Sequence, residues 1–94
     1  MIRNVVLVRL RDGVDPSWAA HWRERVAGLD LPGTVAYTQG ADLGLRDGTW
    51  SFALVADVVD EEAYRRYDLD EEHNRLRDEL APWAQDVARV QFEL

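Results

Sequence analysis

The chain contains no cysteine. Disulfides, thiolate metal centres and a cysteine nucleophile are therefore excluded. It also contains no lysine, since all eleven basic residues are arginine. Schiff-base chemistry, which needs a side-chain amine, is excluded with it. The bias from lysine to arginine points to a GC-rich, bacterial coding sequence of the actinobacterial kind. No run of about 18 apolar residues is present, so no membrane span is expected. Positive charge is scarce too. Eighteen acidic residues leave a net charge of −7, and the arginines are scattered. A nucleic-acid binder needs a basic face to displace counterions from phosphate, so no nucleic-acid or membrane partner is expected. The opening "MIRNVVLVRL" reads as a strand and lacks a signal-peptide cleavage pattern, which makes the cytoplasm the expected location.

What is present suffices for one core. Ninety-four residues, 47% of them apolar and four of them Trp, read as a single domain over 1–94. A chain of this size buries roughly 60–65% of its unfolded surface. Residues 2–10 are β-branched and aliphatic and form a first strand. Asp15 caps a helix with Pro16 at its first position, where the missing N–H costs nothing. Trp18, Trp22, Val26 and Leu29 make its apolar face, and the helix ends near Gly28–Asp30. Residues 34–43 and 49–58 are the next two strands. Asp60 caps a second helix whose Glu61 and Glu62 complement the dipole. That helix breaks and restarts between Tyr67 and Asp70, and ends before Pro82. Residues 86–94 alternate and form the last strand.

The order β-α-β-β-α-β with two similar halves predicts an α+β, ferredoxin-like fold: an antiparallel sheet with its helices on one face. The bulky set Ile2, Asn4, Val6, Val8, Leu10 with Trp50, Phe52, Leu54, Ala56, Val58 is assigned to the helix side. Val5, Leu7, Ala53 and Val55 then line an opposite face that is still apolar and would be a hazard in water. No helix remains to cover it. The expected cover is a second copy, packed sheet to sheet with two-fold symmetry.

Few residues carry chemistry. His21 and His73 are the only histidines, without HxxH or HExxH spacing. Asp68, Asp70, Glu71 and Glu72 read as a solvated helix start, so no metal site is expected. "GADLG" and "RDG" are turn sequences and not phosphate loops. Neither Ser17 nor Ser51 sits in a GxSxG context. No cofactor is expected. His21 has Glu24 and Arg25 on its flank and reads as solvated. His73 is placed differently, because Leu69, His73, Leu76, Leu80 and Trp83 fall at helical spacing on one apolar stripe. It is expected to point at the sheet towards Asn4, Val6 and Phe52. Burial there favours the neutral ring. Such a ring accepts a proton as a base, or is a core histidine bonded to a backbone carbonyl or to Asn4.

Taken together, "MIRNVVLVRL", "GADLG", "WSFALVADVVDEEAYRRY", His73 six residues beyond Tyr67, and the closing "VQFEL" resemble the stress-responsive A/B-barrel (Dabb) domain family over almost the whole chain. The resemblance implies a homodimer whose sheets form an α/β barrel. Some plant members are polyketide cyclases that catalyse an aldol condensation without a cofactor. By resemblance, His73 is the catalytic general base and Tyr67 its hydrogen-bonding partner or orienter. The chain departs from the family pattern in three places. Asn4 and Asp70-Glu71 stand where His and His-Pro are common, and Phe52 stands near a polar group of the cyclases. The site expected is a small apolar pocket lined by Asn4, Trp22, Phe52, Tyr67 and His73, for a carbonyl-containing or aromatic ligand. Asn4 would hold the imidazole tautomer. The alternatives are a non-catalytic stress-related or ligand-carrier dimer, and a cofactor-free monooxygenase-like protein. A void of roughly 300 Å³ or more beside His73 would favour ligand chemistry, and a filled core would favour the scaffold.

Overall fold

Aliphatic and β-branched residues run unbroken through the first strand, β1 (Ile2–Leu10). The computed structural model describes residues 1–94. After β1 come α1 (Pro16–Ala27), β2 (Thr34–Ala41), β3 (Phe52–Val58), α2 (Glu61–Leu69), α3 (Glu71–Leu80) and β4 (Ala84–Glu93). The three helix starts are set by aspartate. Asp15 accepts the Ser17 N–H at 2.8 Å, Asp60 accepts that of Ala63 at 2.8 Å, and Asp70 accepts that of His73 at 2.9 Å. Each carboxylate satisfies a donor that the first helical turn leaves without a partner. None of the helices is long and apolar enough to cross a membrane.

The sheet order is β2-β3-β1-β4 and every neighbouring pair is antiparallel. This is the ferredoxin-like α+β arrangement, with the helices on one face. Asn4 stands opposite Ala56, Val6 opposite Leu54, and Val8 opposite Phe52. These side chains face the helices. There Val8, Phe52 and Leu54 meet Trp22 and Val26 of α1 and Leu76 and Leu80 of α3 in the core. The Trp22 Nε1–H donates to the Leu76 carbonyl at 2.8 Å, which ties α1 to α3.

Three residues leave the faces that periodicity assigns them; one is Trp83, which lies beyond the end of α3 and is 46% exposed. β3 begins at Phe52, later than expected, because Ser51 interrupts the alternation: its Oγ accepts the Leu10 N–H at 2.9 Å. Trp50 therefore does not join the helix-side set. Its ring lies 4.6 Å from the Arg9 guanidinium carbon. Leu69, expected inside, is 76% exposed. It closes α2 just before Asp70, whose extended backbone (φ −62°, ψ 131°) breaks the helical phase. The stripe continues only on α3, through Leu76 and Leu80.

The other sheet face is apolar and uncovered in the protomer. Val5 pairs with Val55 and Val90, and Leu7 with Ala53 and Ala88. Leu7, Val90 and Phe92 are 40%, 54% and 45% exposed. Ion pairs bound this band. Arg3 grips Asp57 through two hydrogen bonds of 2.8 and 2.9 Å, which hold the Asp57 carboxyl below the usual carboxylate range. Towards the opposite end Arg9 meets Asp86 at 3.4 Å.

Candidate functional site

The break at Asp70 builds the site. On one continuous helix, residues six apart would sit about 120° from each other and would not meet. Here Asp70 ends α2, its N–H bonding the Tyr67 carbonyl, and starts α3 by capping the His73 N–H. The two rings are thereby brought into contact, with centroids 4.2 Å apart and planes tilted by 45°. Tyr67 thus meets His73 by ring packing; no hydrogen bond joins the two. Tyr67 is buried, and burial raises its hydroxyl pKa.

His73 is half-buried, and burial pushes its imidazole down to about 4. The positive charge of Arg77 acts in the same direction, partly opposed by Asp68 and Asp70. The ring is neutral at pH 7, as the apolar stripe implied. Arg77, one turn further along α3, places Nη2 3.0 Å from Asp68 Oδ1 and 3.3 Å from His73 Nδ1. Sequence reasoning missed this contact, although the i, i+4 spacing was legible.

Asn4 is buried beside the same space, but it is engaged elsewhere. Its Oδ1 accepts the Gln91 Nε2–H at 2.8 Å across the β1–β4 pair. The neighbour of the imidazole nitrogen is therefore Arg77, where Asn4 was expected. Asn4, Trp22, Tyr67 and His73 all line one cavity of about 40 Å³, together with Val6, Tyr64, Arg77 and Arg89. Phe52 does not line it. It stands opposite Val8 in the strand register and packs its ring 5.8 Å from the Trp22 indole within the core. Arg89 reaches the cavity because it stands opposite Val6 in the strand register, which no local pattern reveals. His21 is exposed, 4.0 Å from Glu24, and takes no part. No three His, Asp or Glu side chains converge.

The arrangement offers one neutral imidazole, two phenols, one amide and two guanidinium groups against apolar walls. It can hold a small polar group and give or take a proton there.

No protein-family model matches the chain, and no curated protein matches it. Solved structures do. A dimeric ferredoxin-like protein of unknown function from Thermobifida fusca is 35% identical over 99% of this chain and 90% of its own, with a TM-score of 0.91. A Dabb family protein with a ferredoxin-like fold from Mesorhizobium loti is 16% identical over 99% of this chain and 95% of its own, at a TM-score of 0.77. SnoaB, a cofactor-independent oxygenase from Streptomyces nogalater, is 19% identical over 99% and 91%, at 0.80. The last two likenesses concern the fold alone.

Proposed function

The chain belongs with the dimeric ferredoxin-like proteins, at 35% identity to one of them, and on that premise we propose a member of the stress-responsive A/B-barrel (Dabb) family: a homodimer that holds a small carbonyl-containing ligand in each protomer, beside Tyr67 and His73. The dimer closes through the helix-free sheet face, so that two four-stranded sheets enclose one barrel. Support for this face comes from the uncovered band of Val5, Leu7, Val55, Val90 and Phe92 between its two ion pairs. Removing that band from water is the driving force for association.

The observation that carries the ligand reading is a neutral imidazole packed in tilted contact with a buried tyrosine at the wall of a cavity. The volume limits what enters. About 40 Å³ is well below the roughly 300 Å³ of a preformed drug-sized pocket. A ligand of a few heavy atoms fits this space, and a polyketide-sized or aromatic one requires the pocket to open. The space falls short of the void that would favour chemistry on a larger ligand, so the binding role is restricted to such small molecules and the non-catalytic scaffold is its direct alternative. Titration of the labelled protein with acetone and acetamide tests it: shifts confined to His73 and Tyr67 support the pocket, and none at either residue leaves a scaffold only.

General-base chemistry is the second reading, favoured by the neutral ring at pH 7. His73 would remove a proton next to a carbonyl, with Tyr67 orienting the oxygen, a step typically worth roughly 10²–10⁴-fold. A His73→Ala protein that turned over such a substrate at the unaltered rate would remove this reading. The oxygenase alternative rests on the fold likeness alone.

A further inference from the structure

A guanidinium group has N–H donors and no acceptor. Arg77 Nη2, 3.3 Å from His73 Nδ1, therefore makes Nδ1 the acceptor. A neutral imidazole has one N–H, and with Nδ1 accepting it must lie on Nε2. The ring's lone pair is engaged by a cation, and its remaining polar atom is a donor. General-base action at His73 would need Arg77 to withdraw.

The charges around the cavity point the same way. Arg77 is partly neutralised by Asp68 at 3.0 Å. Arg89 also lines the cavity, yet it makes no ion pair and no side-chain hydrogen bond. Arg3, Arg9, Arg25, Arg65, Arg66 and Arg75 pair with carboxylates, whereas Arg11, Arg23 and Arg46 do not; of the arginines without an ion pair, Arg89 is the one that lines this cavity. A chain of net charge −7 thus leaves a guanidinium without a counter-ion at the edge of its one imidazole-bearing cavity. Asp68 and Asp70 are the acids that face His73, and both are already engaged, by Arg77 and by the α3 cap. Val6, Trp22 and Leu76 are among the apolar residues that line the cavity, which suits a short hydrocarbon tail.

We propose that this cavity is an anion site: Arg77 fixes His73 as the Nε2–H tautomer, and that N–H together with the Arg89 guanidinium takes the carboxylate of a small monocarboxylic acid. The inference rests on the small-ligand pocket proposed above and names its ligand class. A cavity of about 40 Å³ corresponds to roughly one to three waters, so the acid is of acetate size. Arg77 acts through the imidazole and is a positioning residue, while His73 and Arg89 touch the ligand.

The test uses the full chain, labelled with ¹⁵N, at pH 7 in a buffer free of carboxylate and phosphate. Long-range proton–nitrogen correlation reads the His73 tautomer. Acetate is titrated against acetamide, its neutral counterpart of the same shape. The expected result is an Nε2–H ring, with acetate moving the His73 signals at about tenfold lower concentration than acetamide or better. Arg89→Gln should weaken acetate about tenfold to a hundredfold, the range for a hydrogen bond to a charged group, and leave the tautomer unchanged. Arg77→Met should mix the tautomers. An Nδ1–H ring in the unaltered protein, or acetate affinity unchanged in Arg89→Gln, overturns the proposal. If acetamide binds as well as acetate, the anion site falls and the pocket stands. If neither probe moves His73, the pocket reading falls as well.

Discussion

Acid should weaken this protein through His73, and the effect can be isolated. The imidazole has an ordinary value of 6.5 and is pushed down to about 4 in the fold, first by burial and then by Arg77. Above pH 6.5 the ring is neutral in both the folded and the unfolded chain. Between about 6.5 and 4 the unfolded chain takes up a proton that the folded one refuses. Stability therefore falls as the pH drops through that window. The full shift would correspond to at most about 3 kcal/mol. The ring is partly open to solvent, and screening reduces the expected loss to about 1–2 kcal/mol. The assay is urea unfolding of the unaltered protein and His73→Leu at pH 7, 5.5 and 4.5, at one protein concentration, because dimer stability depends on it. Carboxylates titrate in both proteins, so the difference between the two curves reports His73. That difference should move by about 1–2 kcal/mol in favour of the leucine variant as the pH falls. A difference independent of pH across the window would refute a buried neutral imidazole, and with it the site built around it.

The remaining predictions concern the interface, the break and the core. Leu7→Arg places a charge in the middle of the apolar band and should give single chains of 10.8 kDa by light scattering; unaltered protein running at that mass at micromolar concentration would refute the sheet-to-sheet dimer. Asp70→Ala removes the α3 cap and should cost about 1 kcal/mol, read as a fall in Tm of about 4–8 °C for a chain this size. It should also loosen the Tyr67–His73 ring contact, which tyrosine ring chemical shifts would report. Tyr37 carries a buried hydroxyl without a partner, so Tyr37→Phe should be neutral or stabilising by up to about 1 kcal/mol. A clear loss in thermal unfolding would show that the hydroxyl is bonded.

Much of the fold was legible because it is specified locally. Asp15, Asp60 and Asp70 cap the helices that follow them because a short carboxylate reaches N–H groups two or three residues on. β1 and the helix-facing residues of β3 follow from alternation. The inward placement of His73 was also readable, from Leu76 and Leu80 on the same helix. Leu69 was misplaced because the stripe was carried across Asp70, where the helical phase is lost. Trp50 was misplaced because Ser51 spends a side-chain oxygen on the ladder and shifts the alternation.

The composition of the pocket belongs to the tertiary structure. Phe52 and Asn4 both face the helices as their strand positions require, yet one packs against Trp22 within the core and the other bonds Gln91, eighty-seven residues away in the chain. Arg89 meets His73's cavity only because β4 pairs with β1 in a particular register. The sequence alone determined the elements, their order, the apolar second face and the inward histidine, since caps and periodicity act over a few residues. Which groups surround that histidine, and whether its lone pair is free, was decided by strand register and by the turn of the chain at Asp70, which set distances between residues that no local pattern links.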